Sequence, residues 1–303
     1  LDFLNVQIEI RLLIINYLKA ISWGIPGIAF FLVFRYLNEG MANTHVIMLV
    51  GLTGLLANVV INYLLIFGHF GFPEMGGVGA GWATSISHWL MALILLIYVF
   101  YSQFFKSINL FISDIKPDFR ALLVLIKLGF PIGIAFFVEG SIFSIIALAI
   151  ASLGTIIVAA HQIALNFSSL LFMLPLSFSM AITILVGQNR GSKNSHNMRQ
   201  TIKAGYIITA SMALIMAIFI LLNAKAIALL YTDNDQLANL ASQLMFFAAF
   251  YQLSDAIQLC SAGALRGIKD TAIPMLFSVV SFWFIGFPLG YTLGMTDIIM
   301  EPM

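Results

Sequence analysis

Gly40-Met41-Ala42-Asn43-Thr44-His45-Val46-Ile47-Met48-Leu49 is echoed 227 residues later by Gly267-Ile268-Lys269-Asp270-Thr271-Ala272-Ile273-Pro274-Met275-Leu276. Gly, Thr, Met and Leu coincide, Asn pairs with Asp, and Val pairs with Ile. Each decamer joins two apolar runs, and six such runs separate the copies. An even number leaves both halves of the chain in the same orientation, the parallel-repeat arrangement of some secondary transporters. If the second half begins near residue 117, the first begins about 110 residues before residue 1, and the run near 80–102 should find its partner at roughly 307–329. The intact protein is then expected to hold two six-helix halves in about 450 residues, with three helices before this chain and one after it. The chain opens on Leu1 rather than a methionine and is expected to be truncated at both ends.

Composition supports this reading. Of 303 residues, 61% are hydrophobic and 9% charged, against roughly 25% charged in soluble domains. Such a chain cannot cover a water-soluble surface and reads as an all-α polytopic membrane protein. Runs of about 20 apolar residues, enough to span a bilayer as a helix, fall near 15–36, 44–67, 80–102, 121–150, 157–187, 203–223, 238–265 and 271–294. These are eight transmembrane helices of an expected twelve, in two pseudo-symmetric six-helix lobes. Residues 1–19 read as a loop running into the first helix. Sustained period-2 alternation is absent, which argues against a β-barrel. A net charge of +1 gives no support to a nucleic-acid partner. Cys260, the one cysteine, forms no disulfide within the chain and reads as a packed small hydrophobe.

Charge alternates between the loops. Arg35; Lys106, Lys116 and Arg120; Arg190, Lys193, Arg199 and Lys203; and Arg266 and Lys269 follow the odd-numbered helices. The opposite loops carry Glu74, Asp233, Asp235, Asp297 and Glu301, with Lys225 their one basic residue. Arg11 and Lys19 stand outside the pattern. The positive-inside rule places the loops near 35–45, 103–120, 188–203 and 265–270 in the cytoplasm. Residues 1–102 are assigned to the end of the first lobe (about helices 4–6), 103–120 to a cytoplasmic linker, and 121–303 to the second lobe (about helices 7–11).

Of thirteen acidic residues, only Glu139 and Asp255 sit deep within apolar runs. A carboxylate near the middle of a bilayer costs at least about 2.5–3.5 kcal/mol on insertion scales, so each is a candidate ion or proton site. Tyr251 lies four residues before Asp255 and Gln258 three after it, on roughly one helical face. Carboxylate, phenol and amide oxygens suit a hard cation such as Na⁺, or a proton path, and do not decide between them. Without a transported species, the same groups would serve as hydrogen-bonded glue between helices. Gln162, Asn166 and Ser169 form a polar stripe on the fifth helix, beside His161. Asn58 and Asn62, with Thr84 from the next helix, form a further polar cluster that lacks an acid. No catalytic triad, phosphate loop or metal cluster is visible, and an enzyme is not expected.

Three stretches, Val158-Ala159-Ala160-His161-Gln162-Ile163-Ala164-Leu165-Asn166, Ala264-Leu265-Arg266-Gly267-Ile268-Lys269-Asp270-Thr271 and Gly77-Val78-Gly79-Ala80-Gly81-Trp82-Ala83-Thr84, resemble the multidrug and toxic compound extrusion (MATE) family in its NorM-type branch. The resemblance spans essentially the whole chain. It implies twelve helices in two lobes around a cleft, an inner-membrane location, and exchange of Na⁺ or H⁺ for organic, mostly cationic, drugs. No other cofactor and a monomeric state are expected. Glu139 and Asp255 fall on the family's second-lobe carboxylates, linked to cation coupling and substrate binding. Tyr251 and Gln162 fall on neighbouring cavity positions, and Asn166 belongs with them. Asn58, Asn62 and Thr84 resemble the first-lobe polar cluster, whose acidic member lies outside this chain.

The expected mechanism is alternating access. Cation binding at Glu139 and Asp255 lowers the affinity for a cationic drug, so that like charges compete. A flippase for a lipid-linked sugar, on a related scaffold, is the alternative. It would need basic residues at mid-membrane, whereas Lys127 lies only two turns into its helix. An intramembrane aspartyl protease would need a paired-Asp motif, which Leu253-Ser254-Asp255 does not supply.

Overall fold

The structure, a computed structural model, describes residues 8–106 and 118–295. Lys116, Asp297 and Glu301, and most of the expected linker, lie outside the described residues. The described elements are α1 (Ile8–Ser22), α2 (Gly24–Gly40), α3 (Thr44–Phe67), α4 (Gly77–Tyr101), α5 (Gln103–Lys106), α6 (Phe119–Ile150), α7 (Thr155–Gly191), α8 (Ser195–Leu229), α9 (Asp235–Gly267), α10 (Ala272–Val279), a π-helical segment (Val280–Gly286) and α11 (Phe287–Met295), with single 3₁₀ turns after α3 and α6.

Among the described residues, seven helical stretches are long and apolar enough to cross a membrane: Arg11–Gly40, Thr44–Phe67, Gly77–Tyr101, Phe119–Ile150, Thr155–Gly191, Ser195–Leu229 and Ala272–Gly294. The eighth expected crossing, α9, has ample length at 33 residues but falls short in hydropathy. Its face toward α7 and α8 is lined with small residues, Ala238, Ala241, Ala248, Ala249, Ala256, Ala262 and Gly263, all buried. A helix enclosed by protein need not be apolar on every side. The chain is a multi-pass membrane protein, and its many exposed Leu, Ile and Phe side chains suit a surface facing lipid.

Most helices outrun the apolar runs, because polar residues such as Gln188, Asn189 and Arg190 continue the helix past the hydrocarbon. Residues 8–14, ahead of the apolar run expected from about residue 15, are already helical from Ile8 onward. The first crossing is interrupted at Trp23, just before Pro26. Proline offers no N–H to the preceding turn. The carbonyls around this break are met from α4, where the Ser85 hydroxyl donates to the Ala20 oxygen at 2.6 Å and the Trp89 indole to the Trp23 oxygen at 2.9 Å.

The chain divides into two compact units, Leu1–Ile115 and Lys116–Met303. In the first, α4 packs against α1, α2 and α3. Its glycines allow close approach: a Cβ on Gly79 would stand 2.6 Å from the Leu65 carbonyl oxygen. Phe31, Val50, Ala92 and Leu95 form the core. In the second unit, α7, α8 and α9 pack tightly together, while α6 pairs chiefly with α10. The Ser179 hydroxyl donates to Leu259 O at 2.6 Å, and Thr183 to Gly263 O at 2.9 Å. Both pairs are 80 residues apart, so α7 and α9 run parallel in a fixed register. Cys260 is buried beside Ile182 and Val186, a small hydrophobe as expected.

The repeated decamers form matching turns. Met41 N–H donates to Leu37 O and Asn38 O, Ala42 to Glu39 O and Asn43 to Asn38 O; Ile268, Lys269 and Asp270 make the same bonds to Ala264, Leu265, Arg266 and Leu265. Ala42 and Lys269 both adopt positive φ, 60° and 64°. A third copy, unnoticed in the sequence, closes α7: Lys193 has φ 55°, and Asn189-Arg190-Gly191-Ser192-Lys193-Asn194 repeats the bonding. Because α7 and α9 are parallel, their turns lie at one end of the second unit.

Candidate functional site

A cavity of ≈ 390 Å³ opens within the second unit, lined by Glu139 and Phe143 of α6, Leu165, Ser168, Ser169 and Phe172 of α7, Tyr251, Gln252, Ser254, Asp255 and Gln258 of α9, and Phe282 of the π-helical segment. It lies in the volume range of small-molecule sites, roughly 300–1,000 Å³. The register of α7 and α9 explains much of the lining. Leu165, Ser168, Ser169 and Phe172 follow helical spacings of three and four, as do Tyr251, Asp255 and Gln258. The offset of 80 residues sets Phe172 level with Gln252.

The two carboxylates come from helices that are not neighbours in the chain, yet each lies within range of the other's charge. Glu139 also lies within range of the charge on Arg266, whose guanidinium stacks over the Phe136 ring at 5.3 Å, one turn from Glu139. Two carboxylates share a recess with the rings of Phe143, Phe172 and Phe282 and with uncharged serine and glutamine side chains, so the site is acidic on one part of its wall and aromatic on another. Such a site attracts a cation with apolar flanks. Tyr251 adds a phenol at the rim, about half exposed.

Proline and π-helical backbone sit around this recess. Pro131 and Pro175 lie inside α6 and α7, and each withholds the N–H that would bond the carbonyl four residues back, that of Lys127 and of Leu171. The π-helical segment that carries Phe282 is a rare geometry, found frequently at functional sites.

Glu139, Asp255 and Tyr251 are thus brought together, whereas the expected α7 stripe is not the face that lines the recess. Gln162 and Asn166 are exposed on the unit's surface, and the Asn166 side-chain oxygen accepts from the Tyr231 hydroxyl at 3.1 Å. Of that stripe only Ser169 lines the cavity. The first unit holds Asn58 and Asn62, joined by an amide hydrogen bond of 2.9 Å, while the Thr84 hydroxyl bonds back to Ala80 O at 3.0 Å. Among the described residues, no group of three or more His, Cys, Asp or Glu gathers. Sequence reasoning missed Gln252, Ser168 and the ring Phe282. The signal for Gln252 was its place three residues before Asp255.

Comparison with known proteins shows the family and the fold. The MatE family model matches residues 1–64 and 131–292. A multidrug resistance protein NorM of Photobacterium profundum is 45% identical over all 303 residues, and its counterpart in Vibrio vulnificus is 42% identical over the same span. The chain covers 66% of the length of each relative. A crystal structure of MATE in the bent conformation superimposes with a TM-score of 0.83 at 19% identity, covering 98% of this chain and 65% of that one. At that identity the superposition carries the fold.

Proposed function

The chain belongs to the MatE family, and from that premise we propose that the intact protein is a secondary active multidrug efflux antiporter of the bacterial inner membrane. It exchanges Na⁺ or H⁺ for organic, mostly cationic, drugs by alternating access. The observation that carries this reading is Glu139 and Asp255 facing one aromatic-walled cavity. The relatives' designation as multidrug resistance proteins supports it.

Outward-facing, the carboxylates take up the coupling ion, with Tyr251 as a third oxygen. An occupied pair no longer attracts a cationic drug, which leaves outside. After the lobes rock, the ion is released inward and the freed carboxylates draw a drug from the cytoplasm or the inner leaflet. A ligand can drive such an exchange only through its differential affinity for the two states, and competition for one negative site supplies it. Asn58, Asn62 and Thr84 contribute a polar cluster in the other lobe, and the transporter functions as a monomer.

The test uses the full-length protein in proteoliposomes loaded with a cationic dye, with Na⁺ and H⁺ gradients imposed separately. Glu139→Gln and Asp255→Asn are each expected to abolish gradient-driven dye movement. Normal efflux by both variants would refute the assignment.

A further inference from the structure

Among the described residues, four buried side-chain atoms have no hydrogen-bond partner: His88 Nδ1, His161 Nε2, Ser168 Oγ and Gln252 Nε2. Two of the four, on adjacent helices, line the same cavity. Gln252 is 1% exposed and Ser168 7%. The register of α7 and α9 sets them about one helical turn apart along the axis, ~6 Å.

Packing alone does not account for them. Elsewhere on α7, four serine and threonine hydroxyls are occupied: Ser169 bonds Leu165 O at 2.7 Å, Ser177 bonds Met173 O at 2.7 Å, and Ser179 and Thr183 hold α9. Ser168 makes no such bond, although serine readily returns its proton to its own helix. Nor is Gln252 bonded to Asp255, three residues on and in the same wall. A buried donor left unmade costs about 1–3 kcal/mol. Two such donors on one wall point to an acceptor that enters from the cavity. The wall also holds two carboxylates, which accept but cannot donate when ionised.

We propose that Gln252 and Ser168 form an uncharged hydrogen-bonding subsite that receives a carbonyl or ether oxygen of the transported organic cation, while Glu139 and Asp255 hold its charge. The proposal rests on the reading of this cavity as the drug and cation site. It divides the ligand's recognition into two chemistries. Charge is recognised at the carboxylates, and an acceptor oxygen at the Gln252 amide and the Ser168 hydroxyl. A cation without an oxygen leaves those donors unmet and binds less tightly than an otherwise similar cation that carries one.

A matched pair of probes separates the two chemistries: tetraphenylphosphonium, which has no hydrogen-bonding group, and its 4-acetylphenyl analogue, which adds one ketone. Equilibrium binding of each is measured on the full-length protein in detergent. The ketone is expected to tighten binding about five- to tenfold, the net value of about one hydrogen bond shared between the two donors. In Gln252→Met, close in shape, the ratio of the two dissociation constants is expected to fall toward one. Ser168→Ala, which deletes a single oxygen, should reduce the ratio about two- to threefold and decides the matter if Gln252→Met does not fold. A ratio near one in the unsubstituted protein, or a ratio that both variants leave intact, overturns the subsite. If neither probe binds the unsubstituted protein, the reading of the cavity itself fails, and the subsite with it.

Discussion

Gly263→Ala adds one methyl carbon 2.5 Å from the Ser179 carbonyl oxygen and 2.7 Å from its hydroxyl oxygen. The first of these atoms is α7 backbone, so it cannot swing aside as a side-chain end does. Alanine would gain about 0.8–1 kcal/mol of helix propensity over glycine. Against this stands the cost of forcing a packed interface apart, about 1–3 kcal/mol. The Ser179–Leu259 and Thr183–Gly263 hydrogen bonds, 2.6 and 2.9 Å, flank the contact and would lengthen, at about 1 kcal/mol each if lost. The repulsive and hydrogen-bond contributions win, and the net loss is about 2 kcal/mol. Gly54→Ala is the control, since the three atoms nearest its added carbon, Sδ, Cγ and Cε, all belong to the flexible Met91 side chain, which can repack. The assay is the apparent melting temperature of the full-length protein, read at one fixed scan rate because such proteins unfold irreversibly. Gly263→Ala is expected to lower it by about 2–3 °C, and Gly54→Ala to move it by about 1 °C or less. Equal melting temperatures for Gly263→Ala and the unsubstituted protein would refute the idea that backbone contact at Gly263 fixes the register of α7 and α9. That register places Gln252 and Asp255 on the cavity wall, so Gly263→Ala should also weaken tetraphenylphosphonium binding.

Three other outcomes are expected. Gly133→Ala, in open space on α6, should raise thermal stability by about 0.5–1 kcal/mol, since nothing opposes the gain in helix propensity; a destabilised variant would show an unseen contact. Ala42→Gly should stabilise by up to about 1 kcal/mol, because alanine is held there at φ 60°, a region that only glycine enters without a side-chain penalty; thermal denaturation reads the sign. Asn234→Ala removes the oxygen that accepts from Gln236 N and Leu237 N at 2.9 and 3.2 Å. It should cost about 1 kcal/mol and speed amide exchange in the first turn of α9.

The repeated decamers were legible because they share residues, and the structure adds that they share a turn. The third copy, Asn189 to Asn194, went unread. It keeps Asn189, Gly191 and Asn194 against Asn38, Gly40 and Asn43 of the first but differs elsewhere, and its identity lies in backbone bonds. The span of α9 was legible as an apolar stretch, although enclosure rather than lipid is what tolerates its polar residues. The π-helical segment left no sequence signal, since Val280-Ser281-Phe282-Trp283-Phe284-Ile285-Gly286 reads as an ordinary apolar helix.

By itself, the sequence determined the membrane class, the positions of the long helices, the parallel repeat and the two costly carboxylates. All of these follow from composition and from local spacing along one helix. Spacing states which residues share a face of that helix; it does not state what the face meets. That is set by rotation about the helix axis, and rotation is decided by contacts with neighbours. On α7, the bonds from Ser179 and Thr183 to α9 accompany a rotation that presents Leu165, Ser168, Ser169 and Phe172 to the cavity instead of Gln162 and Asn166. Only the tertiary structure could bring Glu139 and Asp255 to one recess, and only there do Gln252 and Ser168 stand out as buried groups still in need of a partner.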